Sequence, residues 1–190
     1  MNIIVRTAGG HTVVRPDTTW EKDNEDFYPP EFVNCISASP VLFARISKPG
    51  RSVGVRFASR YYDAVNFGVL LYPETPEGLR GEEYAQACCL DHTSFLPTPL
   101  FLPITLGEET NEFVLSRDGN RFFSCNGREA TTGMIEEAIA EATKMVYIRT
   151  GDIVAIELAD RQPLTTREKG RTKVNGSWCD NQTIDFSIIF

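Results

Sequence analysis

Apolar residues in this 190-residue chain fall mostly in short runs with the length and residue types of strands. The β-branched stretches "NIIVRT" and "HTVVRP" flank Gly9-Gly10 and predict an N-terminal hairpin. "PDTTWEKDNEDFYPPEF" is acidic and broken by prolines, and it predicts a long surface loop. Residues 40–47, "PVLFARIS", predict a strand that Pro49-Gly50 ends. "AVNFGVLLY" predicts the next, stopped by "PETPEG". "EEYAQACCLDHTSF" is ambiguous between helix and strand, and "LFLPITL" reads as a short buried strand or extended core segment. "NEFVLSRDGNRFFSCNG" is the clearest hairpin, because Asp118-Gly119 suits the positive-φ positions of a tight turn between apolar flanks.

One segment changes period. Ile135, Ala138, Ile139, Ala142, Met145 and Val146 recur at helical spacing and predict a helix over 132–148 with that stripe in the core. Thr131 or Thr132 can cap it, and Glu136 and Glu137 suit the positive end of its dipole. "IVAIEL" and "TIDFSIIF" then predict two further strands. The pattern as a whole predicts an α+β fold: a curled, strand-rich core with one main helix.

Composition adds limits. The length suits one domain spanning 1–190 with a sizeable core. A net charge of -7 argues against nucleic acid or an anionic membrane surface as partner. The one basic run, 165–173 ("TTREKGRTK"), reads as an exposed loop. No run of 18 apolar residues exists to span a membrane, and the first apolar run, of three residues, is too short for the core of a secretion signal. The five cysteines are odd in number and lack C-x-x-C spacing, so the expectation is free thiols and a cytoplasmic location. Cys88-Cys89 reads as core filler. "TAGGH" lacks the lysine and helix of a phosphate loop.

Candidate chemistry gathers around "SRYYDAVNFGVLLYPE". Arg56, Arg60, Tyr61 and Tyr62 could bind a substrate carboxylate, since guanidinium groups grip carboxylates bidentately; the same residues equally suit an edge or dimer contact. Asp63 stands at the strand start and Asn66 further in. Asp91-His92 beside Thr93-Ser94 cannot form a relay, because neighbours on an extended chain point apart. His92 could serve as a base, or it could be a satisfied surface histidine. His11 follows a turn and reads as exposed.

The order of segments resembles the fumarylacetoacetate hydrolase family. A hairpin ending in Asn126-Gly127 precedes the helix, and Thr150-Gly151-Asp152-Ile153 resembles the family's Pro-Gly-Asp-(Val/Ile) strand opening. "SPVLFARISKPGRSV" resembles its strand leading into a Lys-Pro segment, "AVNFGVLLY" the strand that begins Glu-x-Glu, and "CCLDHTSF" its Asp-containing segment. The likeness covers 40–190 and leaves about 1–39 as a divergent N-terminal hairpin and loop. It implies a β-roll-like core, a homodimer, and divalent-metal chemistry on small oxo acids, either hydrolytic C–C cleavage, decarboxylation or isomerisation. In that family Glu-x-Glu places two carboxylates on one strand face and a third comes from the Asp segment, giving Mg²⁺ the oxygens it requires.

Mapped onto this chain, the two glutamates fall on Ala64 and Asn66, the third ligand on Asp91, and the family's next Asp on Leu96. "PTPLFLP" offers no lysine where the family has one. A bulge could instead pair Asp63 with Asn66. The expectation is a degenerate metal site in a weakly active or non-catalytic, dimeric small-carboxylate binder. No cofactor is expected, and Arg60, Tyr61, Tyr62 and Asn66 would contact the ligand. The alternative is an active hydrolase or decarboxylase of oxo acids, with Mg or Mn on Asp63, Asn66 and Asp91 and with His92 as base. Under either reading Asn66 and Asp91 should face one cleft, with Ala64 beside them.

Overall fold

The computed structural model describes residues 1–74 and 81–190. Strands β1 (Asn2–Arg6) and β2 (Thr12–Pro16) form the expected hairpin, with Gly10 at φ 80° in its turn. The acidic stretch that follows is more than a surface loop. It contains the short strand β3 (Trp20–Glu21) and buries Thr19, Glu21 and Phe27. Two long strands, β4 (Cys35–Ile46) and β5 (Tyr62–Glu74), pair antiparallel along almost their whole length and are joined through a short helix, α1 (Val55–Ala58). Both outrun their apolar cores. The stop expected in "PETPEG" falls mainly outside the described residues. The ambiguous segment divides into a helix, α2 (Glu82–Ala87), a turn, and the two-residue strand β6 (Ser94–Phe95).

The second half follows the sequence pattern closely. Strands β7 (Glu112–Arg117) and β8 (Asn120–Asn126) meet at Asp118 and Gly119, with φ of 48° and 77°. Helix α3 (Thr132–Met145) buries Ile135, Ala138, Ile139 and Ala142. Met145 departs from the expected stripe at 64% exposed, because the helix ends there instead of at residue 148. Thr131 sits at the N-cap position but makes no capping side-chain bond. Then come β9 (Ile153–Glu157), β10 (Gln162–Thr166), β11 (Arg171–Trp178) and β12 (Asn181–Ile189). "LFLPITL" is only partly core. Phe101 bridges to Val65 and Leu106 is buried, whereas Leu102 and Ile104 are among the most exposed apolar residues.

The mixed sheet runs β2-β1-β9-β4-β5-β6-β3, with β10 also paired to β4; a four-stranded sheet, β12-β11-β7-β8, faces it. The larger core lies where these layers and α3 meet. Phe67 stacks on Phe113 and tilts against Trp178, each at 4.6 Å between ring centroids. The opposite face of the large sheet carries a smaller core of Ile3, Val5, Val41, Phe43, Leu70, Leu96 and Ile153. Strand β5 is therefore buried on both faces, which explains why it reads as a continuous apolar run and not as an alternation. Gly68 lets this strand press against its neighbour: a Cβ there would stand 2.4 Å from the Phe95 carbonyl oxygen. Among the described residues no helix is long and apolar enough to cross a membrane.

Candidate functional site

Side chains at Ala64, Asn66, Gly68, Leu70 and Tyr72 share one face of β5 by the two-residue period of a strand. Its beginning holds the positions where carboxylates were sought. Arg45 pairs with Ala64 and Ile46 with Tyr62, leaving Asp63 as the extra residue of a β-bulge. The bulge does not bring Asp63 to Asn66. Instead, Arg45 grips Asp63 bidentately, through Nε to Oδ1 at 3.0 Å and Nη2 to Oδ2 at 2.9 Å. Ala64, Arg45 and Asp63 line a pocket of 540 Å³ whose other walls, including Trp20, Phe43, Phe101 and Ile153, are mostly apolar.

Asn66 is not part of that lining. It is 0% exposed. Its Nδ2 donates to the carbonyls of Pro97 at 3.2 Å and Pro99 at 2.9 Å, and its Oδ1 accepts the Phe67 N–H at 2.7 Å. Two carbonyls and one N–H around the amide permit only this orientation. The amide ties β5 to the chain leaving β6.

Asp91 does not join it, and the shared cleft expected from the sequence is absent. Ser94 lies opposite Leu70 in an antiparallel pair. Moving back from Ser94 to Asp91 therefore leads away from Asn66, beyond a point already about 13 Å along the strand. His92, at φ 56°, turns the chain there. Asp91 and His92 line a separate hollow of 420 Å³ with Glu25, Asp26 and Tyr28. His92 Nδ1 lies 3.0 Å from Oε2 of the buried Glu21.

The arginine–tyrosine cluster also lies apart from the Ala64 pocket. The bulge turns Tyr62 to the opposite face, where burial and nearby Glu136 push its phenol up to about 12. Tyr61 packs against Gly50, and Arg56 and Arg60 lie over the Phe57 ring. His11 is exposed, as expected. In the motif Thr150-Gly151-Asp152-Ile153, the buried Asp152 accepts the N–H of Asn2 and of Arg149, each at 2.8 Å, so it organises a turn. Among the described residues, no three His, Cys, Asp or Glu side chains gather as a metal-holding group.

A fumarylacetoacetate hydrolase family protein from Yersinia pestis CO92 superposes with a TM-score of 0.78 at 13% identity, covering 99% of this chain and 92% of that one. The fold is that of the fumarylacetoacetate hydrolase family. Other structures with this fold include the fumarylpyruvate hydrolase of Pseudomonas aeruginosa, solved with Mn²⁺ and pyruvate (TM-score 0.76, 11% identity, 100% of this chain and 90% of that one). The 5-carboxymethyl-2-hydroxymuconate delta-isomerase of Mycobacterium smegmatis is similar too (TM-score 0.73, 12% identity, 99% and 78%). No family model and no curated protein matches the sequence itself. At these identities the likeness establishes the family fold and leaves the chemistry to the residues.

Sequence reasoning passed over the polar group at the far end of the same strand face. Arg15 of β2 is 0% exposed. It donates from Nη1 to Thr93 and Ser94 and from Nη2 to the Leu71 carbonyl, and its guanidinium lies 4.4 Å from the Tyr72 ring centroid. The Tyr72 hydroxyl donates to Glu157 of β9. Burial pushes that phenol well above its ordinary range, with Arg15 opposing and Glu157 adding to the shift. The available signal was a charged residue inside an apolar strand, in "TVVRP" and at the end of "IVAIE".

Proposed function

We propose that this chain is a fumarylacetoacetate-hydrolase-like protein with a degenerate divalent-metal site, acting as a non-catalytic binder of a small carboxylate. The observation that carries the reading is Asn66: the residue at the second glutamate position is fully buried and its amide is bonded to its own chain. Ala64 offers a methyl group, Asp91 stands at the other end of the strand, and Asp63 is held by Arg45. A Mg²⁺ or Mn²⁺ ion takes about six oxygens, usually with at least one or two protein carboxylates among them, and with Asp63 paired and Asp91 apart this donor set does not fit one.

What the pocket offers instead is a guanidinium at the rim of an apolar chamber. Both partners of the Arg45–Asp63 pair are about half exposed, and such a pair contributes only about 0.2–1 kcal/mol. An entering carboxylate can take the fork of Arg45 while Asp63 turns to water, with the ligand's apolar part against Phe43 and Ile153. The protein is proposed to do this as a homodimer.

Calorimetric titration tests the reading, with Mn²⁺ alone, with pyruvate alone, and with both. Weak Mn²⁺ binding and pyruvate binding that is independent of Mn²⁺ but lost in Arg45→Ala are the expected results. Tight Mn²⁺ binding that pyruvate strengthens would overturn it in favour of an active hydrolase or decarboxylase.

A further inference from the structure

A second pocket, of 550 Å³, opens at the far end of the sheet between the β1–β2 turn, α2 and the chain leaving β9. Its lining carries charges of both signs, Arg161 against Glu157 and Asp160, with no ion pair between them. Arg161 lies 5.1 Å from the ring centroids of both Tyr72 and Tyr84. Apart from these ring contacts it forms no ion pair or hydrogen bond with any described residue. The guanidinium thus lies beside both rings while its N–H groups make no hydrogen bond to a described residue, which leaves them available for bidentate capture of a carboxylate.

Glu157 provides the opposite charge. It is 8% exposed and on the pocket wall. One oxygen accepts the Tyr72 hydroxyl and the other the Ala8 N–H at 2.9 Å, which uses about two of its four lone-pair directions. Among the described residues no cation stands within ion-pair distance of it. The terminal nitrogens of Arg15 are committed to Thr93, Ser94 and Leu71. A carboxylate this buried favours a contacting cation. Asp160, exposed on the same lining, adds a second acceptor.

A plain anion would meet Glu157 and Asp160, and a plain cation would meet Arg161. A molecule bearing both charges satisfies both walls. We propose that this pocket binds a small zwitterion of the α-amino acid class, its carboxylate on the Arg161 fork and its ammonium on Glu157 and Asp160. The site is separate from the Ala64 pocket, and the proposal does not depend on the function assigned to that pocket.

The test uses the full chain. Thermal-shift screening of the standard L-amino acids selects the best binder, and calorimetry then compares it with its two halves, the matching primary amine and the matching deaminated acid. We expect one or more amino acids to bind, and each half to bind at least about tenfold more weakly. Arg161→Ala and Asp160→Asn, both at exposed positions, should weaken binding with unchanged melting temperature, and Arg45→Ala should leave it intact. The absence of any binder up to about 10 mM overturns the proposal. So does an acid half that binds as tightly as the amino acid, or binding that depends on Arg45 instead of Arg161.

Discussion

The two ends of β5 have been put to opposite uses on one face of one strand. At the beginning stand Ala64 and Asn66, which the sequence resemblance aligns with paired carboxylates, and the strand there is buried and internally satisfied. At the end, Tyr72 is an ordinary core residue by type, yet it stands among Arg15, Glu157 and Arg161. The sequence resemblance points to the first end, and the distribution of charge points to the second. A fold therefore does not by itself locate a site; the side chains along the strand do.

Restoring both carboxylates at the first end is the harshest way to break the comparison. Ala64→Glu with Asn66→Glu removes the donors to Pro97 and Pro99 and buries charge in their place. We expect a loss of about 4 kcal/mol in urea denaturation. Mn²⁺ should not reverse it, because the Asp91 carboxylate lies at the other end; recovery with Mn²⁺ would show that the segment after α2 can shift register. At the second end, Arg15→Met removes the buried cation that faces Tyr72 and should cost about 3 kcal/mol by the same measurement.

A pair of tyrosines sharpens the contrast. Tyr72→Phe takes a donor from Glu157 and should cost about 1–2 kcal/mol at neutral pH. Tyr62 makes no hydroxyl hydrogen bond with a described residue, so Tyr62→Phe should be near neutral at that pH and act only in alkali. Its phenol is raised from 10.0 to about 12 in the fold. The unfolded chain thus releases that proton first, and the stabilisation is complete below pH 10, declines above it and is gone once the folded phenol ionises near pH 12. Replacing Tyr62 should flatten this part of a melting-temperature profile taken across alkaline pH. The smallest effect belongs to Arg45→Ala. Its exposed pair with Asp63 should leave stability within about 0.5 kcal/mol in the same denaturation, while pyruvate binding falls.

Local features were legible in the sequence, and long-range ones were not. The Asp118-Gly119 turn and the stripe of α3 depend on neighbours a few residues apart, and both formed where the pattern placed them, except that the helix ends at Met145, leaving Met145 exposed and Val146 outside it. The resemblance aligned Ala64 and Asn66 with the paired carboxylates of the family. Asp91 could not be placed that way, because its distance from Asn66 depends on which residue of β5 meets Ser94, a register set by tertiary pairing. The bulge at Asp63 likewise sent Tyr62 to the wrong face for the cluster expected of it. Arg15, Tyr72, Tyr84, Glu157 and Arg161 come from four separate stretches of chain, and no spacing in the sequence announces their meeting.

The parallel pairing of β1 with β9 has a consequence for how the protein is made. Ile3 aligns with Ile153 and Arg6 with Ile156. During synthesis at about 5–20 residues per second, the first strand waits roughly 8–30 seconds before its partner exists. Until then "NIIVR" has only its hairpin mate, one edge open, and an apolar face without cover. A ribosome that stalls before residue 153 therefore releases a chain in which β1 keeps an unpaired edge and an uncovered apolar face.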